Sequence, residues 1–389
     1  RERLFQRVLL RGLTRQDVAR FIEIAAGITP PRGLVSAVHA HTEGNPLFVT
    51  EVVRLLVQEG ELTPDRLGTR ASWRVRIPEG VKEVIGRRLN RLSQRCNETL
   101  TIASVIGRQF EFQQLAPLVE DMSEDRILGV LEEALGARVI EELPQAVGRY
   151  QFTHALIQDT LAQELSTTRR VRLHARIAQA LEELYGENAE AHAGELARHF
   201  AEAQTLLGAE KLVRYSLLAG ERGLAAYAYE RALGHFQRAL AAKEGQPVDA
   251  ETAAVLVGLG RSQIALLDDE AYVTLRRALD YYAESGDMEQ VVAIAEFPDY
   301  GAARRIGLGQ LVARALPLVP ADSLLSGRLL SRYGQFIGLQ DAAFDEALDA
   351  LNQALVISRR EGDEALELQS LVAVASVYSN HMRFDEALD

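Results

Sequence analysis

Phe344-Asp345-Glu346-Ala347-Leu348-Asp349 returns letter for letter at Phe384-Asp385-Glu386-Ala387-Leu388-Asp389, a shift of 40 residues. Working outward, Tyr229, Ala232, Leu233, Ala239 and Leu240 fall at the same offsets as Phe344, Ala347, Leu348, Ala354 and Leu355. The pair Ala-Leu recurs at 239, 278, 315 and 354, spaced 39, 37 and 39. An aromatic residue, then Ala-Leu, then Ala-Leu suits stacked helix pairs, because small residues let neighbouring helices approach while large ones fill the space between them. From about residue 166 onward the chain is rich in Ala and Leu and carries no strand pattern, so a helical solenoid is expected there.

The earlier half has a different texture. Val8-Leu9-Leu10 reads as a short strand closing a domain whose body lies further upstream. Thr14 with Asp17 resembles a helix-capping pair, and Val18, Phe21, Ile22 and Ala25 follow at helical spacing, predicting a helix over 15–26. Thr29-Pro30-Pro31 stops or restarts it, and further helical stretches are predicted over 34–40 and 47–58. Pro64, Gly68 and Pro78 mark a linker that carries the only tryptophan, Trp73. Beyond Pro78, Val81, Val84, Ile85, Leu89 and Leu92 share one apolar face, Leu100 to Ile106 gives a short helix, and another runs near 123–135. Arg138 to Leu143 and Arg149 to Phe152 then flank a turn and predict a hairpin. Helices followed by a hairpin and another helix describe a winged helix.

Of the 389 residues, 47% are hydrophobic and 25% charged, a globular composition for two to four domains. No run approaches the roughly 18 apolar residues of a spanning helix, so a cytoplasmic protein with no membrane contact is expected. Arg1 stands where an initiator Met is usual and the repeat is unfinished at Asp389, so both ends are expected to be cut. Residues 1–95 hold 17 Arg or Lys against 10 Asp or Glu, so the formal net charge of -12 hides a basic opening and an acidic remainder. That remainder repels a phosphate backbone. Cys96 is the only cysteine, which excludes an internal disulfide and a cysteine-rich zinc site and suggests a small buried side chain. The three lysines, Lys82, Lys211 and Lys243, never follow a glycine, so no phosphate-cradling Gly-Lys-Ser/Thr loop is present. Gly-x-Ser-x-Gly and His-Glu-x-x-His are also absent, and no catalytic residue is assigned. His192 and His199 could share a helical face but have no third ligand nearby.

Two segments stand out. In His41-Thr42-Glu43-Gly44-Asn45-Pro46-Leu47-Phe48, Gly44 permits a tight backbone and Pro46 suits a first helical position. Phe152-Thr153-His154-Ala155-Leu156-Ile157-Gln158-Asp159 puts His154 at the junction of wing strand and helix, where an imidazole can meet a phosphate or a helix start, although a lone histidine is usually structural.

Glu43 to Phe48 followed by Glu51; Ile77-Pro78 with Val84-Ile85 and Arg87-Arg88-Leu89; Phe152 to Ile157; Arg172 to Ala178; Glu195 to Phe200; and Ala228 to Leu233 together give the chain a resemblance. In order and spacing it resembles the signal-transduction ATPases with numerous domains, an AAA-like class found in large ATP-binding LuxR-type regulators and in cyclase- or kinase-linked bacterial proteins. The resemblance implies a mainly α fold, with a helical lid and winged helix ahead of a tetratricopeptide-like solenoid. It divides the chain into the end of an ATPase core (1–11), lid (12–60), linker (61–78), winged helix (79–166), helical connector (167–226) and repeats (227–389). It also implies that Pro46 packs on the adenine of ATP or ADP, with Gly44 and Asn45 shaping its turn, and that His154 meets the β-phosphate of ADP. The Walker residues and Mg would belong to sequence ahead of Arg1.

On that reading ADP favours a closed state, and a protein or small-molecule inducer on the repeats favours an open one, with self-association and an output such as transcription control. Two alternatives stand beside it. One is a protein-binding scaffold with a vestigial nucleotide site. The other is a DNA-reading winged helix that uses Arg87, Arg88, Arg91, Arg95 and Arg169 to Arg176 on phosphates, which the acidic array opposes.

Overall fold

The computed structural model describes residues 12–58, 62, 85–144, 146–297, 308–338 and 343–383. The expected strand at Val8 to Leu10, most of the linker with Trp73, and the second Phe-Asp-Glu-Ala-Leu-Asp at 384–389 lie outside them. The fold is mainly α: among the described residues the strands form one small sheet of three. Contact density divides the chain into two units, Arg1–Gly186 and Glu187–Asp389.

In the first unit α1 (Arg15–Ala26) opens with the expected capping box, in which the Thr14 hydroxyl accepts the Asp17 amide while the Asp17 carboxylate accepts the Thr14 amide. It is followed by α2 (Arg32–Thr42) and α3 (Pro46–Gln58). Val18, Ile22, Leu34, Val38, Val49 and Val52 are the fully buried side chains that hold these three helices together. They recur every third or fourth residue, which is how an amphipathic helix turns one stripe inward.

Past the undescribed stretch, α4 (Gln94–Ile106) begins a full turn and more before the apolar run at Leu100. Ser93 caps it, its hydroxyl accepting the Cys96 amide at 3.2 Å. Next come β1 (Gln109–Glu111), α5 (Phe112–Leu115), α6 (Glu124–Gly136), β2 (Ile140–Glu142), β3 (Arg149–Phe152), α7 (Ala155–Gln163) and α8 (Thr167–Tyr185). The hairpin of β2 and β3 is where the alternating pattern puts it. β1, which the sequence did not announce, pairs on the other edge of β3, so the strand order is β1-β3-β2 and both pairs are antiparallel. Phe110 sits opposite Tyr150 in the register and stacks on it at 5.7 Å, with Phe152 at 5.8 Å from Phe110, so the sheet's inner face is aromatic. α4 packs against α6, α7 and α8. Cys96 is buried there, and burial pushes its thiol up to about 12, helped by the nearby Glu133 carboxylate.

Among its described residues the second unit is built of helices and contains no strand. It runs through α9 (Ala193–Glu202), α10 (Gln204–Leu207), α11 (Glu210–Ala225), α12 (Tyr229–Ala242), α13 (Ala250–Ala265), α14 (Ala271–Ser285), α15 (Met288–Ala295), α16 (Leu308–Ala315), α17 (Leu324–Ile337), α18 (Phe344–Glu361) and α19 (Glu364–Asn380). From α11 on, each helix packs on the next, and α11 with α13, α14 with α16, α15 with α17 and α17 with α19 touch as well. That succession of neighbours is the signature of a one-dimensional stack. The repeated Ala and Leu positions explain it: Ala232, Ala239, Ala278, Ala315, Ala347 and Ala354 are fully buried at helix contacts. The Phe236 ring on α12 fills a slot between two glycines, Gly220 on α11 and Gly258 on α13. A Cβ at either position would stand 2.6 or 2.3 Å from that ring.

Candidate functional site

The turn from α2 to α3 is built by its own residues. α2 ends at Glu43 in the left-handed conformation (φ 51°), a state that costs a residue with a side chain on the order of 1 kcal/mol. Gly44 continues it at φ 70°, and its carbonyl accepts the Leu13 amide at 2.7 Å. A Cβ on Gly44 would stand 2.1 Å from the Leu13 carbonyl oxygen, so only glycine lets this backbone approach. The Asn45 side-chain oxygen accepts the Leu47 amide at 3.1 Å, and Pro46 takes the first helical position of α3, where a missing N–H costs nothing. Pro46 is exposed, as is Leu47, at 47%.

This turn meets the start of α7. His154 is the residue before α7, in extended conformation, and its ring stands edge to face with buried Phe48 at 5.4 Å between centroids. The two segments singled out in the sequence are therefore side by side, brought together through α2, α3 and α7. The residue that joins them is Glu43. Its Oε1 accepts the Ala155 amide at 3.0 Å and the Arg108 guanidinium at 2.7 Å, while Oε2 faces His154 Nδ1 at 3.8 Å, an ion-pair distance too long for a hydrogen bond. His154 Nδ1 is buried without a hydrogen-bond partner, yet the side chain as a whole is 27% exposed, so the exposure lies on the rest of the ring. Burial pushes the Glu43 carboxyl up, but the His154 ring, the Ala155 amide and the Arg108 guanidinium together hold it below its ordinary 4.5. A carboxylate at the first turn of α7 also complements the positive end of that helix. Next to this contact, half-buried Asp159 on α7 has its carboxyl raised by burial, against the opposing pull of His41 on α2.

Sequence reading brought out Pro46, Gly44, Asn45 and His154 but assigned no role to Glu43 or Arg108. Arg108 holds its place because its carbonyl accepts the Phe152 amide at 2.9 Å, beside the pairing of β1 with β3. The only available signal was the position of Glu43 inside the quoted motif. Nothing local marks a carboxylate whose partner amide is 112 residues away.

The other candidates fall elsewhere. His192 precedes α9, and His199 is buried in α9 with the Arg198 guanidinium 2.8 Å from its Nε2. No group of three or more His, Cys, Asp or Glu side chains suited to a metal occurs among the described residues. Of the arginines considered for DNA, Arg95 pairs with Glu98 at 3.3 Å and Arg176 pairs with Glu120 at 2.6 Å. No described helix is long and apolar enough to cross a membrane. In the second unit a cavity of about 460 Å³ is lined by Leu240, Val248, Gln246, Lys243 and Arg277 among others. Lys243 is held at its wall by Asp249 and Glu251, at 2.6 and 2.8 Å.

Neither protein-family models nor curated proteins match this chain. Among solved structures, it is similar to a signal transduction ATPase with numerous domains that carries a tetratricopeptide repeat sensor, from Pyrococcus horikoshii. The match has 14% identity and a TM-score of 0.33 and covers 97% of this chain. This chain spans 58% of that protein's length.

Proposed function

We propose that this chain is the regulatory part of a nucleotide-dependent switch, in which residues 12–60 act as a lid and residues 79–166, read as a winged helix, as its counterpart. The observation that carries this reading is the junction just described: an exposed proline turn and a partly exposed histidine held side by side by one carboxylate. The residues fit the group they would serve. Pro46 and Leu47 offer an exposed apolar face suited to a planar base, and the exposed part of the His154 ring is free to meet an anion while Nδ1 stays turned toward Glu43. Bound ADP would supply a base for Pro46 and a phosphate charge for His154. Gly44 and Asn45 set the turn, Phe48 props the imidazole, and the Glu43–Arg108 pair keeps the lid against α7. The Walker loop and Mg are assigned to sequence outside this chain.

In this scheme the helical array senses a protein or small-molecule inducer, and whatever it binds must prefer one arrangement of the lid to shift the balance. A cytoplasmic setting, self-association and an output such as transcription control belong to the same proposal. The test is an ADP titration by calorimetry on a longer protein that carries the sequence ahead of Arg1. His154→Gln is expected to weaken ADP at least about tenfold, the effect of losing one charge-assisted contact, and Pro46→Ala to weaken it less. Undetectable ADP and ATP binding by that protein would end the clamp reading.

One observation favours the scaffold alternative. On α19 the apolar side chains Leu368, Leu371 and Val372 are 65, 43 and 56% exposed at helical spacing, the kind of stripe that a partner helix covers. If nucleotide binding fails while a partner protein protects this stripe from hydrogen exchange, the scaffold replaces the switch.

A further inference from the structure

The Glu43 carboxylate does more than tie two segments together, because each of its oxygens has a separate task. Oε1 is satisfied by the Ala155 amide and by Arg108; Oε2 faces the buried Nδ1 of His154. The groups come from three places in the fold: the end of α2, the strand-side residue Arg108, and the start of α7. Glu43 also holds a left-handed backbone that few residues with side chains adopt, so its carboxylate is aimed by the same turn that presents Pro46.

We infer that Glu43 is a positioning residue for His154: its Oε2 fixes which ring nitrogen faces inward, while its Oε1 locks the α2–α3 turn onto α7. A histidine with one nitrogen turned to a partly buried carboxylate keeps the opposite nitrogen for an outside partner, as in sites where a second group orients a ligating imidazole. The His154 ring and the Ala155 amide, with Arg108 as counter-charge, let the carboxylate sit partly buried, at 25% side-chain exposure, without being neutralised. Disengaging Glu43 therefore undocks the turn and frees the imidazole in one event. The regulatory meaning of that event rests on the clamp reading above; the interlock does not.

The experiment uses the whole chain and three variants, of which His154→Gln assigns the His154 ring nitrogen resonances by their loss. Glu43→Gln keeps an oxygen for the Ala155 amide but removes the charge facing the ring. It is expected to move the His154 nitrogen resonances while leaving Ala155 amide exchange within about threefold of the parent. Glu43→Ala removes the acceptor as well, and Ala155 exchange is expected to accelerate at least about tenfold, the range for losing a hydrogen bond to a charged group. His154 resonances unchanged in Glu43→Gln overturn the positioning role, whatever Glu43→Ala does to stability. If the longer protein binds no ADP but the resonances still respond, the clamp falls and the interlock stands. Normal ADP binding with unresponsive resonances does the reverse.

Discussion

At the residue scale, the turn between α2 and α3 concentrates the consequences. Gly44→Ala places a methyl group where the Leu13 carbonyl already lies and forces alanine to φ 70°. It is expected to cost about 2–4 kcal/mol, combining backbone strain with overpacking, and urea unfolding of the chain would measure it. Glu43 adds a pH dependence. Its folded carboxyl titrates below its ordinary 4.5, so the contribution of the docked turn is fully present above that value and is lost as pH falls through the lower folded one. Parent protein and Glu43→Gln are therefore expected to differ at pH 7, with Glu43→Gln the less stable, and to converge in stability only once acidification has carried the pH through the lowered folded carboxyl value. Cys96, with its thiol pushed up to about 12, is expected to resist alkylation at pH 8 in the folded chain and to react once the chain is unfolded. Gly44 and Pro46 were legible because backbone conformation restricts residue choice locally. Glu43 was not, because a carboxylate's partner is a property of the fold.

At the element scale, helix positions followed from apolar spacing and caps: the 15–26 helix was readable because Thr14 and Asp17 announce its start and Thr29-Pro30-Pro31 interrupts it, and the structure closes it on a left-handed Gly27. α4 was readable only from Leu100, since its first turn is Gln94-Arg95-Cys96-Asn97, whose polarity hides a start that Ser93 caps. β1 was hidden for a different reason. Three residues cannot display an alternation, and the strand exists because β3 offers it a free edge. Within the array, the slot holding Phe236 makes two opposite substitutions costly. Phe236→Ala is expected to lose about 3–5 kcal/mol through the cavity it leaves. Gly258→Ala is expected to lose about 1–3 kcal/mol through the clash, despite alanine's better helix propensity. Calorimetric unfolding of each variant tests both, and a stabilised Gly258→Ala would mean that the ring has room to move.

At the scale of the molecule, two separately cohesive units make a clear expectation. Residues 187–389 produced alone should show strong helical circular dichroism and a cooperative thermal transition, as should residues 1–186. A random-coil spectrum from either would show that its contacts do not suffice. The mainly α fold and the helical array were legible from repetition, because a period near 38 with fixed small and large positions leaves few other solutions. The division at Gly186 was not, since α8 and the helices from α9 on share one Ala- and Leu-rich texture.

The ring of Phe236 also bears on how the array can flex. Because the same edge of that ring abuts Gly220 and Gly258, neither α11 nor α13 can slide along its axis without bringing a residue larger than glycine against the phenyl group. A bend in this stretch is therefore expected to hinge outside α11, α12 and α13 rather than between them.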